Sequence, residues 1–347
     1  MLNKLKQQEN KPETLVTVLA MTPQQMALKS KYVVNAYNYL LTAVDGMDDK
    51  VLQKLLVKML SKEQPAFLSL YKDKPDKRQQ IYEQLQEKDY INPAITVDEF
   101  MPYTVNQPIW SASGSHYYGH HSHPGGLVLH TEENLRISLA MAKAHSKMFN
   151  LKFDNDIVVF AQVAHDLSKA WILEWLPDGS CLSQYNIAHT GAHHIFGLAE
   201  SIYHNSPPRA VFAQACTHVN PGNKKACEVI CHFLLAACMI AEVDPVQYGL
   251  FDSQGKLTFD YKQMEFWFCY VGDHSVVFTV PSARRVIKNL KTLALEDYGF
   301  TQEDLETCKF NQFRNYILAQ STITRLYQKL FQGEQKALAK EVAKLFK

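Results

Sequence analysis

The sequence has no Cys-x-x-Cys pair, no excess of either charge, no low-complexity run and no long apolar stretch. Each absence excludes something. The seven cysteines, at 181, 216, 227, 231, 238, 269 and 308, form no disulfide framework and no thiolate metal knuckle. Reduced thiols in a cytoplasmic setting are therefore expected. With 36 basic and 35 acidic side chains the net charge is +1. That balance gives no global field toward nucleic acid or membrane and leaves room only for a local basic patch. The longest apolar run, Phe233–Ala241, is nine residues, against the roughly 20 needed to span a membrane. The opening residues are polar and lack the apolar centre of a secretory signal.

What is present is helical periodicity. In the 347 residues, Thr22 followed by Pro23 reads as an N-cap and first helical residue, and Met26, Val33, Val34, Tyr37, Leu40 and Leu41 recur at helical spacing. Two more amphipathic stretches complete a small helical unit before residue 90. A proline-bearing connector covers residues 91–115. Helices are expected over 127–149, 155–172, 189–204, 208–218 and 226–243. Beyond 250, "FDSQGKLTFDY" and "HSVVFTV" alternate like short strands, before helix returns. The aromatic run "FDYKQMEFWFCY" reads first as a buried element and only second as a base-stacking platform. The expected fold class is mainly α: a helical bundle with a helical N-terminal unit (1–112), a central domain (113–250) and a small mixed α/β C-terminal region (251–347).

Histidine is distributed unevenly. Thirteen of the fourteen lie between residues 116 and 232. Five elements in order stand out: His130 in "LVLHT", His165-Asp166 in "VAHDLSK", His193 or His194 in "TGAHHIFG", His218 in "ACTHVNP", and an acid at Glu242 or Asp244 in "IAEVDP". They recur at intervals of about 25 to 35 residues, one helix plus its connection, so successive ligands come from successive helices of a bundle. Imidazole and carboxylate without thiolate suit a divalent ion such as Mn, Fe, Co, Ni or Mg rather than a structural zinc site.

These residues resemble the HD-domain metal-dependent phosphohydrolases. "HHSHPGGLVLHT" is similar to the HHxxxGGLxxHT stretch of YhaM-type 3′–5′ exoribonuclease HD domains, "AHDLSK" to their HDxGK, and "HHIFGLAE" to their GHxxxGxE. The resemblance covers roughly residues 116–250. It implies that His130, His165, Asp166 and the late acid hold a first ion, and that Asp166 bridges to a second held by His218 and one of His193 and His194. Lys169 would clamp a phosphate oxygen, and a pocket histidine, His121 or His189, would protonate the leaving group. Two divalent ions would activate water for attack on a phosphoester. The partner would be a phosphorylated small molecule or nucleotide, with nucleic acid as an alternative and no membrane. Ser168 departs from the family's glycine. Two other functions fit the same ligand types: a di-iron HD-type oxygenase, and a non-catalytic ligand-sensing or scaffold module.

Overall fold

The computed structural model describes residues 2–101, 107–116 and 119–347; part of the expected connector, residues 102–106, lies outside them. The protein is mostly α-helical. Five helices precede the connector: α1 (Leu15–Leu19), α2 (Pro23–Lys29), α3 (Lys31–Asp45), α4 (Lys50–Leu60) and α5 (Pro75–Glu87). Thr22 and Gln25 close a reciprocal capping box at the start of α2, as Thr-Pro-x-Gln dictates. The periodic stretch after Thr22 is two helices rather than one, because Ser30 ends α2 and its hydroxyl caps α3.

The central bundle comprises α6 (Gly126–Phe149), α7 (Asn155–Ala164), the short α8 (Lys169–Ile172), α9 (Ala192–Tyr203), α10 (Pro208–Ala215) and α11 (Lys224–Ala241). Local chemistry sets several of these ends. Asp154 accepts from the Ile157 N–H at the start of α7, Asn223 accepts from Ala226 at the start of α11, and Pro208 opens α10. One apolar core runs continuously from Ala27 to Cys269, so the N-terminal helices and the central bundle share it. Leu127, Phe160 and Leu198 are fully buried there, each worth about 1.5–3 kcal/mol.

After the bundle come α12 (Met264–Gly272), α13 (Val276–Asp297), α14 (Cys308–Ser321) and α15 (Ile323–Ala343). The last three build a second apolar core around Phe310, Phe313, Leu318 and Leu326. The strand reading of "HSVVFTV" gives way to helix. Seven alternating residues fit either period, but Ala283, Val286, Ile287, Leu290 and Leu293 carry the apolar face on at helical spacing and are buried. "FDSQGKLTFDY" makes a single antiparallel bridge, Phe251 with Leu257. The one two-stranded ladder among the described residues is central, with β1 (Asn186–Ile187) paired antiparallel to β2 (Thr190–Gly191). No helix among the described residues is long and apolar enough to cross a membrane.

Candidate metal centre

Helix α6 brings His130 inward on its second turn. It begins at a tight loop in which Gly125 has φ +76° and a Cβ on Gly126 would fall 1.8 Å from the His121 carbonyl oxygen. Only glycine permits that approach. The C-terminal end of α7 delivers His165 and Asp166, α9 delivers His193 in its first turn, and the turn after α10 delivers His218. A residue not anticipated from the sequence completes the set. Asp273 follows α12, where Gly272 lets that helix close on α6: a Cβ there would lie 2.0 Å from Ser138 Oγ and 2.8 Å from the Asn134 carbonyl.

These side chains converge on Asp166. Its Oδ2 lies 3.0 Å from His130 Nε2 and 3.3 Å from His165 Nε2. Its Oδ1 lies 3.1 Å from His193 Nε2 and 3.7 Å from His218 Nε2. Asp273 Oδ1 is 3.0 Å from His130 Nε2, and its Oδ2 is 3.3 Å from His218 Nε2. The ligand atoms of His130, His165, Asp166 and Asp273 all lie within 4.8 Å of one another, and so do those of Asp166, His193 and His218. The protein thus carries clustered, buried His and Asp side chains capable of coordinating one or two divalent ions.

Neighbours fix the orientation of the rings. His165 Nδ1 donates to the Gln162 carbonyl at 2.7 Å, and His193 Nδ1 meets Gln184 Oε1. Both contacts leave Nε2 facing the carboxylates, the usual arrangement of a metal-ligating imidazole. Asn134, one turn after His130, donates from Nδ2 to Asp273 Oδ1 at 2.7 Å. Ser168, in place of the glycine, donates its hydroxyl to the His193 carbonyl and so ties the α7–α8 turn to α9.

The electrostatics are those of a charged cluster out of water. Burial disfavours the His165 cation, but the Asp166 and Asp273 carboxylates overcome it and push the ring up to about 10. Burial opposes ionisation of both aspartates, yet His165 and its neighbours hold each carboxyl well below the usual range. Burial pushes His193 down to about 4, leaving a neutral ring. His193 Nε2 and Asp166 Oδ1 are buried and lack any hydrogen-bond partner despite their proximity. Two lone pairs facing each other at that distance are matched by a cation between them.

The other expected residues are placed as follows. Lys169 is buried with its Nζ on Asp166 Oδ2. His194 turns away from Asp166 and packs against Phe233 and the His218 ring, 5.0 and 4.2 Å between centroids; it joins neither ligand group. Glu242 ends α11 at φ +55° and pairs with Lys77 at 2.6 Å. Asp244 accepts from the backbone of Val246 and Gln247. Neither acid reaches the cluster, because the 18-residue α11 carries its C-terminus about 27 Å along its axis; Asp273 occupies the position expected of them. His121 stands at the cluster's edge, 3.3 Å from Glu133 Oε2. His189 sits in the β1–β2 turn with its side chain 70% exposed and Asp89 as its nearest acid, so it is not brought to the site.

Comparison with known proteins leaves the site to speak for itself. No protein-family model, curated protein or solved structure matches the chain. For Asp273 the sequence offered one signal, a Gly-Asp step closing an aromatic helix, and for Asn134 its place four residues after His130 on the same helix face.

Proposed function

We propose that this protein is an HD-type metal-dependent phosphohydrolase with a binuclear centre, in which Asp166 bridges the ions. The observation that carries the reading is the division of Asp166. One oxygen faces His130 and His165 and the other faces His193 and His218. A carboxylate shared between two imidazole groups suits paired ions that clamp the attacking and leaving oxygens of a phosphoryl group. The donor set fits such ions, since the unpartnered atoms His193 Nε2 and Asp166 Oδ1 are both buried lone pairs. Mn, Fe, Co or Ni suit this mixture of imidazole and carboxylate, with Mg a poorer match. When bound, the ions supply Lewis acidity and a water of lowered pKa.

The chain's own residues do the rest. Gln162 and Gln184 hold His165 and His193 in one tautomer, and Asn134 steadies Asp273. Lys169, buried beside Asp166, offers an ammonium that would neutralise charge on a phosphoryl oxygen. This compact cation favours an anionic phosphoester, from a phosphorylated small molecule or nucleotide to nucleic acid, over an uncharged substrate. Of the two histidines expected to protonate a leaving group, His121 alone is within reach.

The test is metal analysis of protein purified without chelator, joined to a screen of phosphomonoesters, phosphodiesters and nucleotides with and without oxygen. Ion-dependent hydrolysis that ignores oxygen supports the proposal. Oxygen-dependent turnover with bound iron favours the di-iron oxygenase. A metal-bound protein inert to every phosphoester favours a sensing or scaffold role.

A further inference from the structure

A third group of ligand atoms lies at the edge of the centre. The loop that precedes α6 folds back so that His120, His121 and His130 bring one ring nitrogen each within 4.8 Å of one another. His121 sits in the left-handed region at φ +57°. Its carbonyl accepts from Gly114 at 3.0 Å and from His123 at 2.9 Å, while glycine at 126 leaves room for that oxygen. A non-glycine residue held at positive φ by its surroundings is a built feature rather than slack.

What the loop builds is a set of acceptors. His120 Nδ1 and His121 Nε2 are buried with no hydrogen-bond partner. Glu133, one turn along α6 from His130, brings Oε2 to 3.3 Å from His121 Nε2. Two buried imidazole nitrogens without a hydrogen-bond partner, one of them beside a carboxylate, leave a cost that a bare cavity does not relieve. A cation relieves it. Imidazole-rich donors with one carboxylate select a borderline divalent ion.

We propose that His120, His121 and Glu133, beside His130, hold a third divalent cation at the open edge of the binuclear centre. This rests on the metal-centre reading above and gives His121 a different task, binding a cation rather than protonating the leaving group. Glu133 has a third of its side chain exposed, whereas Asp166 has almost none, so the third ion exchanges with solvent first. Its removal should leave the ions around Asp166 in place.

The experiment is equilibrium dialysis against Mn²⁺ alone, with ion content per chain measured for wild type, His121→Ala, Glu133→Gln and Asp166→Ala. Circular dichroism checks that each variant is folded. The expected result is one ion fewer in both His121→Ala and Glu133→Gln than in wild type. Rapid chelation of wild type should also show a fast phase of about one ion that Glu133→Gln lacks. If His121→Ala disrupts the loop, the near-isosteric Glu133→Gln decides. Equal ion content in wild type and Glu133→Gln overturns the third position. If that equality comes with loss in Asp166→Ala, the binuclear reading survives. A wild type that binds no Mn²⁺ overturns both.

Discussion

The protein has two cores filled by opposite means. Around Phe313 the interior is hydrocarbon: its ring lies 4.9 Å from Tyr298, 5.1 Å from Phe300 and 5.5 Å from Phe346 between centroids. The ion pairs of this region, such as Lys309–Asp304 and Arg325–Glu341, keep at least one partner partly in solvent. Around Asp166 the interior is imidazole and carboxylate, several atoms of it without a partner. Hydrocarbon burial is non-directional and stabilises wherever it packs. Buried lone pairs cost free energy unless something charged meets them. Apolar packing of this kind, here and in the larger core from Ala27 to Cys269, therefore holds the fold, whereas the cluster around Asp166 holds a position for cations at the expense of stability.

The largest break in that comparison is Asp166→Ala. It removes the carboxylate that faces His130 and His165 with one oxygen and His193 and His218 with the other, so bound metal and ion-dependent turnover should fall together. In wild type a chelator should lower the melting temperature, because an ion at about a hundred times its Kd adds roughly 2.7 kcal/mol to the folded state. In the variant the chelator should do little. Unchanged metal content after the substitution would take Asp166 out of the centre.

Phe313→Ala attacks the other core. Truncating a fully buried aromatic ring should cost about 3–5 kcal/mol, read as a loss of denaturation midpoint. Ion stoichiometry at low temperature should stay at the wild-type value. A parallel loss of metal would mean that the two cores are mechanically one.

Lys169→Ala comes next. It should slow phosphoester cleavage by roughly 10²–10³, the usual cost of one transition-state charge partner, with the ions retained. Metal loss in that variant would make the lysine a prop for Asp166 instead.

The smallest effect sharpens the comparison through pH. Burial, with His121 alongside, pushes the His123 ring down to about 3. The folded ring stays neutral where the unfolded one takes a proton, so its contribution is full above pH about 6.5 and is lost as pH falls toward 3. Between pH 6 and 4, wild type should lose stability more steeply than His123→Gln by about 1.4 kcal/mol per pH unit. The core around Phe313 has no histidine to respond in this way, the last one being His274. Parallel slopes for the two proteins would show that His123 titrates normally.

Much of the fold was legible because it is local. The helix expected over 127–149 is α6, the one over 208–218 begins with α10 at Pro208, and the one over 226–243 is α11. That His130, His165, Asp166 and His218 come together was legible for the same reason, since they recur at the interval of a helix plus its connection. Which of His193 and His194 faces Asp166 was not. Neighbours on a helix point about 100° apart, and only the seating of α9 against Phe233 and Gln184 selects His193. His189 looked like a pocket residue until the β1–β2 turn, with φ +63° at that residue, carried it outward.

The sequence by itself determined the helices, their caps and the chemistry of the buried cluster, because propensity, capping and periodicity act over a few residues. Tertiary structure alone decided the last acid. Asp273 lies more than a hundred residues after Asp166 and reaches it because Gly272 allows α12 to pack tightly on α6. Glu242 and Asp244, nearer in sequence, end a helix that points away. Distance along the chain does not encode distance across a core, and the close approach of two helices does.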